Sequence, residues 1–426
     1  MYAQDLPLDA FDLAPETVRA RFVWAERQGV PRWLWPEVQP GDWIATLTRI
    51  EAILRAVLTG EEAPPELDCD PATLEVAAYT SGTGPLLGSW LEQGRIAAGS
   101  CAPLLAFHLR HNRLRMQRLT AHAASLSRAF GVAGTAPVIV KGMHTAHAYF
   151  PEPGTRPVSD IDMVITADRL PEAERVLQDQ GYAPGEIVLG PPRQQEWRAA
   201  APPQLPRTLR FVHHDDPWAI DVQSSFDRRF ASGGATVRMG GAAGEAPWPV
   251  DGSARVLGQP WLLLYLAVHA SNGFETLNLL RLTEMALVAR TDSAAGRLDW
   301  DAFMAAAQGS DALALIYPSL FLCEALAPGT IPGEVRQASR RGVSPSARRF
   351  VEGLSPATAH RLLRPSRAEK FLWSPSPAAR RAQILRELLP REARSLGDLA
   401  RIYHRRAWGL ARGTLPRSTP QRGNRT

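Results

Sequence analysis

Between Val138 and Ile165 the chain reads VIVKGMHTAHAYFPEPGTRPVSDIDMVI, and no other stretch narrows the choice of fold as far. The run Pro137–Val140 is too short for a helix and β-branched enough for a buried strand. Lys141-Gly142 closes it, Met143–Phe150 reads as a short helix, and Pro151–Pro157 is a Pro/Gly loop. A second strand follows over Ser159–Ile165, carrying Asp160 and Asp162. Strand residues two apart share a face, so these carboxylates project together. Two like charges side by side are costly unless a cation lies between them. A carboxylate pair on a rigid strand suits Mg²⁺, which prefers oxygen ligands and brings substrate phosphates with it.

At 426 residues and 45% hydrophobic, the chain is long enough for two or three packed units. The acidic N-terminus has neither the basic nor the apolar segment of a signal peptide. The longest apolar run, Trp261–Val268, is far short of a membrane span. Cys69, Cys101 and Cys323 are spaced for neither a disulfide framework nor a zinc site, so a cytoplasmic protein with reduced thiols is expected.

Charge is unevenly spread. Residues 330–426 hold 21 Lys/Arg against 6 Asp/Glu, about +15, which leaves about −10 for the rest under a total of +5. Such a tail can meet nucleic acid or form the solvated face of helices such as Ala378–Leu389. Among the 48 basic residues only Lys141 and Lys370 are lysine. A bias that turns lysine into arginine wherever the two are interchangeable leaves lysine where a compact ammonium is needed. Lys141 stands beside the acidic strand.

Residues 1–130 read as helical, with candidates at Val18–Glu26, Trp43–Leu58 and Pro71–Tyr79. A long helix from Pro103 carries Leu105, Leu109, Met116, Leu119, Ala123, Leu126 and Phe130 on one face and ends at Gly131. Arg110, Arg113, Arg115 and Arg118 fall on its other faces and read as solvated. After Ile165, Asp168 can cap a helix over Leu170–Gln180 that Gly181 closes. Pro184–Pro206 reads as a mobile loop. Thr208–His214 and Trp218–Ser224 read as a hairpin turned by Asp215-Asp216-Pro217. Asp221, in an otherwise apolar strand start, needs a reason to be there. Residues 231–252 read as loop. Helices are expected at Trp261–His269 (buried all round), Leu277–Arg290, from Asp299, and over 311–326. Short basic helices and a disordered tail after Arg412 complete the chain.

Other groups are candidates with plain alternatives. His144 and His147 could share a metal but lack a nearby third ligand, and His213-His214 could approach the site or merely belong to the hairpin. His269 and Glu284 lie on apolar helices as a buried pair or as a pocket wall. The tryptophans read as core.

The order of strand, glycine turn, short helix, hDhDh strand and one later acid resembles the nucleotidyltransferase superfamily typified by DNA polymerase β. Lys141-Gly142, Arg156 before the DxD, Asp221, and an apolar helix ending His269-Ala270 resemble its uncharacterised nucleotidyltransferase branch, over about residues 103–325. The resemblance implies an α+β fold: a polymerase β-like core with a small mixed sheet, flanked by N-terminal and C-terminal helical regions. The corresponding divisions are 1–130, 131–255, 256–330 and 331–426. It implies that Asp160, Asp162 and Asp221 hold two Mg²⁺ or Mn²⁺, and that a nucleotidyl group passes from an NTP to an acceptor. Lys141, Gly142, Thr145 and Arg156 are then the nucleotide-binding residues. Where the superfamily has Gly-Ser, this chain has Gly142-Met143, and Thr145 carries the nearest hydroxyl. Backbone amides beside Gly142 can still meet phosphate. Members of the branch accompany clusters that make ribosomal peptides, lasso peptides among them, so peptide tailoring is one role. The alternatives are an inactive NTP-binding protein and a toxin–antitoxin nucleotidyltransferase acting on protein or tRNA.

Overall fold

The computed structural model describes residues 38–61, 66–188, 193–199, 219–230, 235–272, 277–359 and 395–411, with isolated positions between 381 and 388. The expected helix at Val18–Glu26, the Thr208–His214 arm and its turn, and the tail after Arg412 lie outside these residues, as does most of Ala378–Leu389.

Three helices, α1 (Pro40–Thr59), α2 (Pro71–Ser81) and α3 (Gly84–Glu92), lead into α4 (Ala102–Val132). Asp70 caps α2 by accepting the Thr73 amide at 2.8 Å. The 31 residues of α4 follow its apolar periodicity, but Gly131 lies inside the helix, and the left-handed residue beyond its end is Gly134 (φ 70°). Its arginines are not all solvated. Arg115 is buried and donates to the Val158 carbonyl. Arg113 pairs with Glu92 at 2.8 Å and Glu152 at 2.5 Å, and Asn112 donates to the Gly154 carbonyl at 2.7 Å. The polar face of α4 is covered by the 151–158 loop, whose carbonyls it satisfies. Apolar spacing cannot reveal a polar face buried in this way.

The core continues through β1 (Val138–Ile139), α5 (Gly142–Ala148), β2 (Asp160–Val164), α6 (Leu170–Asp179), β3 (Tyr182–Val188), β4 (Gln194–Ala199), β5 (Ala219–Gln223), β6 (Arg228–Arg229), β7 (Thr236–Val237), β8 (Gly244–Pro247) and β9 (Arg255–Leu257). Seven of these strands form a mixed sheet in the order β3-β4-β5-β2-β1-β9-β8, and β6 and β7 pair apart. The β2–β5 and β1–β9 pairs are parallel. β3 and β4 occupy much of the stretch expected as loop over 184–206. β3 lies at the edge of the sheet, where Pro184 is tolerated, and the polar β4 pairs with it on one side and with β5 on the other. Likewise β7 and β8 lie within the expected loop 231–252. Asp168 does not cap α6; it sits exposed on a short 3₁₀ turn, and Arg169 takes the N-cap position without a side-chain bond.

One face of the sheet is apolar. Ile161, Met163, Ile220 and Val222 pack with Met116, Leu119 and Ala123 of α4 and Leu170 and Leu177 of α6. A second core joins α1–α3 to α7 (Trp261–Asn272), α8 (Leu279–Ala294), α9 (Trp300–Gly309) and α10 (Tyr317–Leu326). The last of these begins later than the expected 311. Asp299 caps α9, accepting from Asp301 and Ala302. Helices α11 (Gly333–Arg341), α12 (Pro345–Glu352) and α13 (Leu396–Ala411) follow. The fold is α+β, a small mixed sheet flanked by helices. Cys69 and Cys101, far apart in the chain, come to 3.8 Å between sulfurs and are free thiols. Among the described residues no helix is long and apolar enough to cross a membrane.

Candidate active site

With Ile161 and Met163 turned into the core, Asp160 and Asp162 face the other way. The parallel register sets Asp162 opposite Asp221 and Asp160 opposite Ala219. Directly paired residues of neighbouring strands project to the same side, so all three carboxylates lie on one face, toward α7 and α8. Asp221 Oδ2 accepts from Gln194 Nε2 at 2.7 Å and Gln223 Nε2 at 3.3 Å. Asp221 Oδ1 is buried with no hydrogen-bond partner. Burial is the largest influence on all three acids and lifts each above the usual carboxylate range. Asp162 adds to the rise at Asp160 and Asp221 to that at Asp162, while Lys141 pulls each back.

The Lys141 ammonium lies 2.5 Å from Asp162 Oδ1, with side-chain exposures of 12% and 6%. Burial is the largest single influence and pulls its pKa down, but Asp162, Tyr265 and Asp160 together outweigh it and the net direction is up. Its backbone, at φ 51° and ψ −131°, is in a region that favours glycine.

The remaining nominated residues meet each other. Arg156 forms a two-donor fork with Glu284, Nε to Oε1 at 3.0 Å and Nη2 to Oε2 at 2.9 Å. The Thr145 hydroxyl donates to the same Glu284 Oε1 and to the Lys141 carbonyl at 3.1 Å. Gly142 lies under the guanidinium, and a Cβ there would stand 2.6 Å from Arg156 Nη1. Gly142, Thr145 and Arg156 therefore tie the turn after β1 to α8. Glu284 belongs to a buried pair, but with Arg156. His144 and His147 face apart: His147 Nε2 meets the Thr120 hydroxyl at 3.1 Å, whereas His144 is buried against Tyr149.

Sequence reading missed several groups around the acids. Arg228 is buried with its guanidinium 4.9 Å from the Tyr265 ring centroid, and it donates to the Tyr265 hydroxyl, which donates to Gln223 Oε1 at 3.3 Å. Arg281 acts electrostatically on Asp160 and Asp162. His269, which the sequence did single out, is pushed well below its ordinary pKa by burial and by Lys141, Arg281, Arg228 and Arg156, so it is neutral. Gln223 could have been found two residues after Asp221 on the same strand face; Arg228 and Arg281 carry no local signal. His213 and His214 lie outside the described residues.

Among the described residues no three His, Cys, Asp or Glu side chains are arranged to hold an ion as they stand. The donor chemistry nevertheless fits a hard divalent cation: carboxylate oxygens from two adjacent strands on one face of the sheet, with Asp221 Oδ1 buried without a partner.

The model of the uncharacterised nucleotidyltransferase family matches residues 72–328, more than half of the chain. The chain belongs to that family. No curated protein and no solved structure matches it. The match takes in α2 to α10, and so includes the sheet, its acidic face and the helices opposite. Family membership supports a general nucleotidyltransferase activity.

Proposed function

We propose that this nucleotidyltransferase moves a nucleoside monophosphate from an NTP to an acceptor hydroxyl, with Mg²⁺ or Mn²⁺ held by Asp160, Asp162 and Asp221. The observation that carries the reading is the pairing of Asp162 with Asp221 on adjacent strands, with Asp221 Oδ1 buried and unpartnered. An acid buried in this way is destabilising unless a cation completes it. Bound there, the metal would neutralise the triphosphate and activate the attacking hydroxyl.

The chain's own residues do the positioning. Gln194 and Gln223 hold Asp221 by Oδ2 and leave Oδ1 free for a ligand bond. Lys141 supplies a mobile positive charge to the triphosphate, and Arg228 and Arg281 add positive potential around it. Arg156 and Thr145 act at one remove, fixing the Lys141–Gly142 turn to α8 through Glu284. An acceptor carried by a lasso-type peptide is one substrate consistent with the family resemblance, and nucleic acid bound by the basic C-terminal region is another partner to test.

Pyrophosphate release from each NTP, with Mg²⁺ and cell extract as the acceptor source, tests the reaction. Asp221→Asn keeps shape and removes charge, so release should fall by about 10²-fold or more with little change in nucleotide affinity. Full activity in Asp221→Asn makes that residue structural. Metal-dependent NTP binding without release from any NTP or extract favours a binding protein.

A further inference from the structure

We infer that Lys141 is a built-in stand-in for the metal, occupying Asp162 in the resting protein and leaving it when metal and nucleotide bind. The inference rests on the proposed metal site and concerns how that site is filled.

Three observations support it. The ammonium sits 2.5 Å from Asp162 Oδ1, where a ligand bond to a cation would otherwise form. Two cations cannot share that oxygen in that direction, so metal binding requires the ammonium to move. The Lys141 backbone adopts a conformation that glycine accepts freely and other residues accept only under strain. Glycine would therefore be the easier residue at this turn; the lysine side chain is what the position gains for its strain. Finally, one ammonium acts on three carboxylates, in a chain where 46 of 48 basic residues are arginine. A compact charge on a four-carbon stem can rest against one carboxylate and then turn to another anion. A flat guanidinium with fixed donors is less suited to that exchange.

Displacement has a thermodynamic consequence. Metal alone must separate Lys141 from Asp162 and leave the ammonium near Arg228, which already repels it. A triphosphate arriving with the metal gives the ammonium a new partner. Metal and nucleotide should therefore bind with positive coupling, each raising the other's affinity by the same factor.

The test uses the full chain and Mn²⁺ alone, titrated by calorimetry without nucleotide, with thermal unfolding in EDTA and in saturating Mn²⁺. Lys141→Met keeps bulk and loses charge; Lys141→Gly also relieves the backbone and serves if the methionine variant folds poorly. Both should bind Mn²⁺ at least about tenfold more tightly than wild type, a change of about 1.4 kcal/mol. Mn²⁺ should also raise their melting temperature by more than it raises that of wild type. Lys141→Arg, which keeps the charge but gives up the carboxylate less readily, should bind Mn²⁺ no more tightly than wild type. If Mn²⁺ binding is lost in Asp162→Asn yet unchanged in Lys141→Met and Lys141→Gly, the metal site stands and the stand-in role is overturned. If neither wild type nor the Lys141 variants bind Mn²⁺, both the role and the metal site fall.

Discussion

Two ion pairs lie on the acidic side of the sheet, equally hidden from water and built to different ends. Arg156 and Glu284 are 10% and 4% exposed, Lys141 and Asp162 12% and 6%. The first pair is closed: two donors meet two acceptors, and the Thr145 hydroxyl adds a third bond to the same carboxylate. The second is open, with one ammonium against a carboxylate that has two more beside it and an unpartnered oxygen on Asp221. A buried pair whose bonds are complete is part of the framework. One that leaves charge and lone pairs over matches the metal and nucleotide proposed for it. The difference also separates two residues nominated together: Lys141 meets the site acids, and Arg156 meets Glu284.

The closed pair offers the largest effect. Glu284→Ala strands a buried guanidinium and should cost about 3–5 kcal/mol in chemical denaturation. Replacing both partners by methionine should cost much less, since no charge is left unpaired. Near-wild-type stability in Glu284→Ala would remove the contrast, because Arg156 would then be free to serve the open site.

Acid sharpens the contrast from the other side. The three site acids have raised pKa values, so the folded chain holds their protons more tightly than the unfolded chain does, and protonating them above pH 3.8 relieves the open face. Away from that face, His108 on α4 and His144 on α5 are buried and pushed down to about 4. Here the unfolded chain takes up protons first. Stability is therefore lost as pH falls from about 6.5 toward 4, by on the order of 3 kcal/mol per histidine at full effect. Melting temperature should fall between pH 7 and pH 5, with relief of the acids softening the loss at the lower end. His108→Gln and His144→Gln should each flatten the slope. A melting temperature constant over that range would contradict the buried-neutral assignment.

The open site was largely legible and its framework was not. The i, i+2 spacing of Asp160 and Asp162 and the isolated acid at Asp221 are local signals, and a strand preserves them. The scarcity of lysine singled out Lys141 by chemistry rather than position. The closed pair depends on α8 returning 128 residues later to meet Arg156, which no local pattern encodes. Arg115 is a similar case: on its helix it looks solvated, and only the docked 151–158 loop buries it. β3 reads as loop because an edge strand can be polar and carry proline, the same features that mark loops, and β4 (QQEWRA) because it is mostly polar.

The open site's purpose is tested most directly by calorimetric titration of wild-type protein with ATP and with GTP, in Mg²⁺ and in EDTA. Three acids on one face, two of them buried, need a cation before they can face a triphosphate. Binding of at least one nucleotide should therefore be measurable with Mg²⁺ and lost in EDTA. Equal affinity in both conditions would contradict a carboxylate metal site as the seat of nucleotide binding.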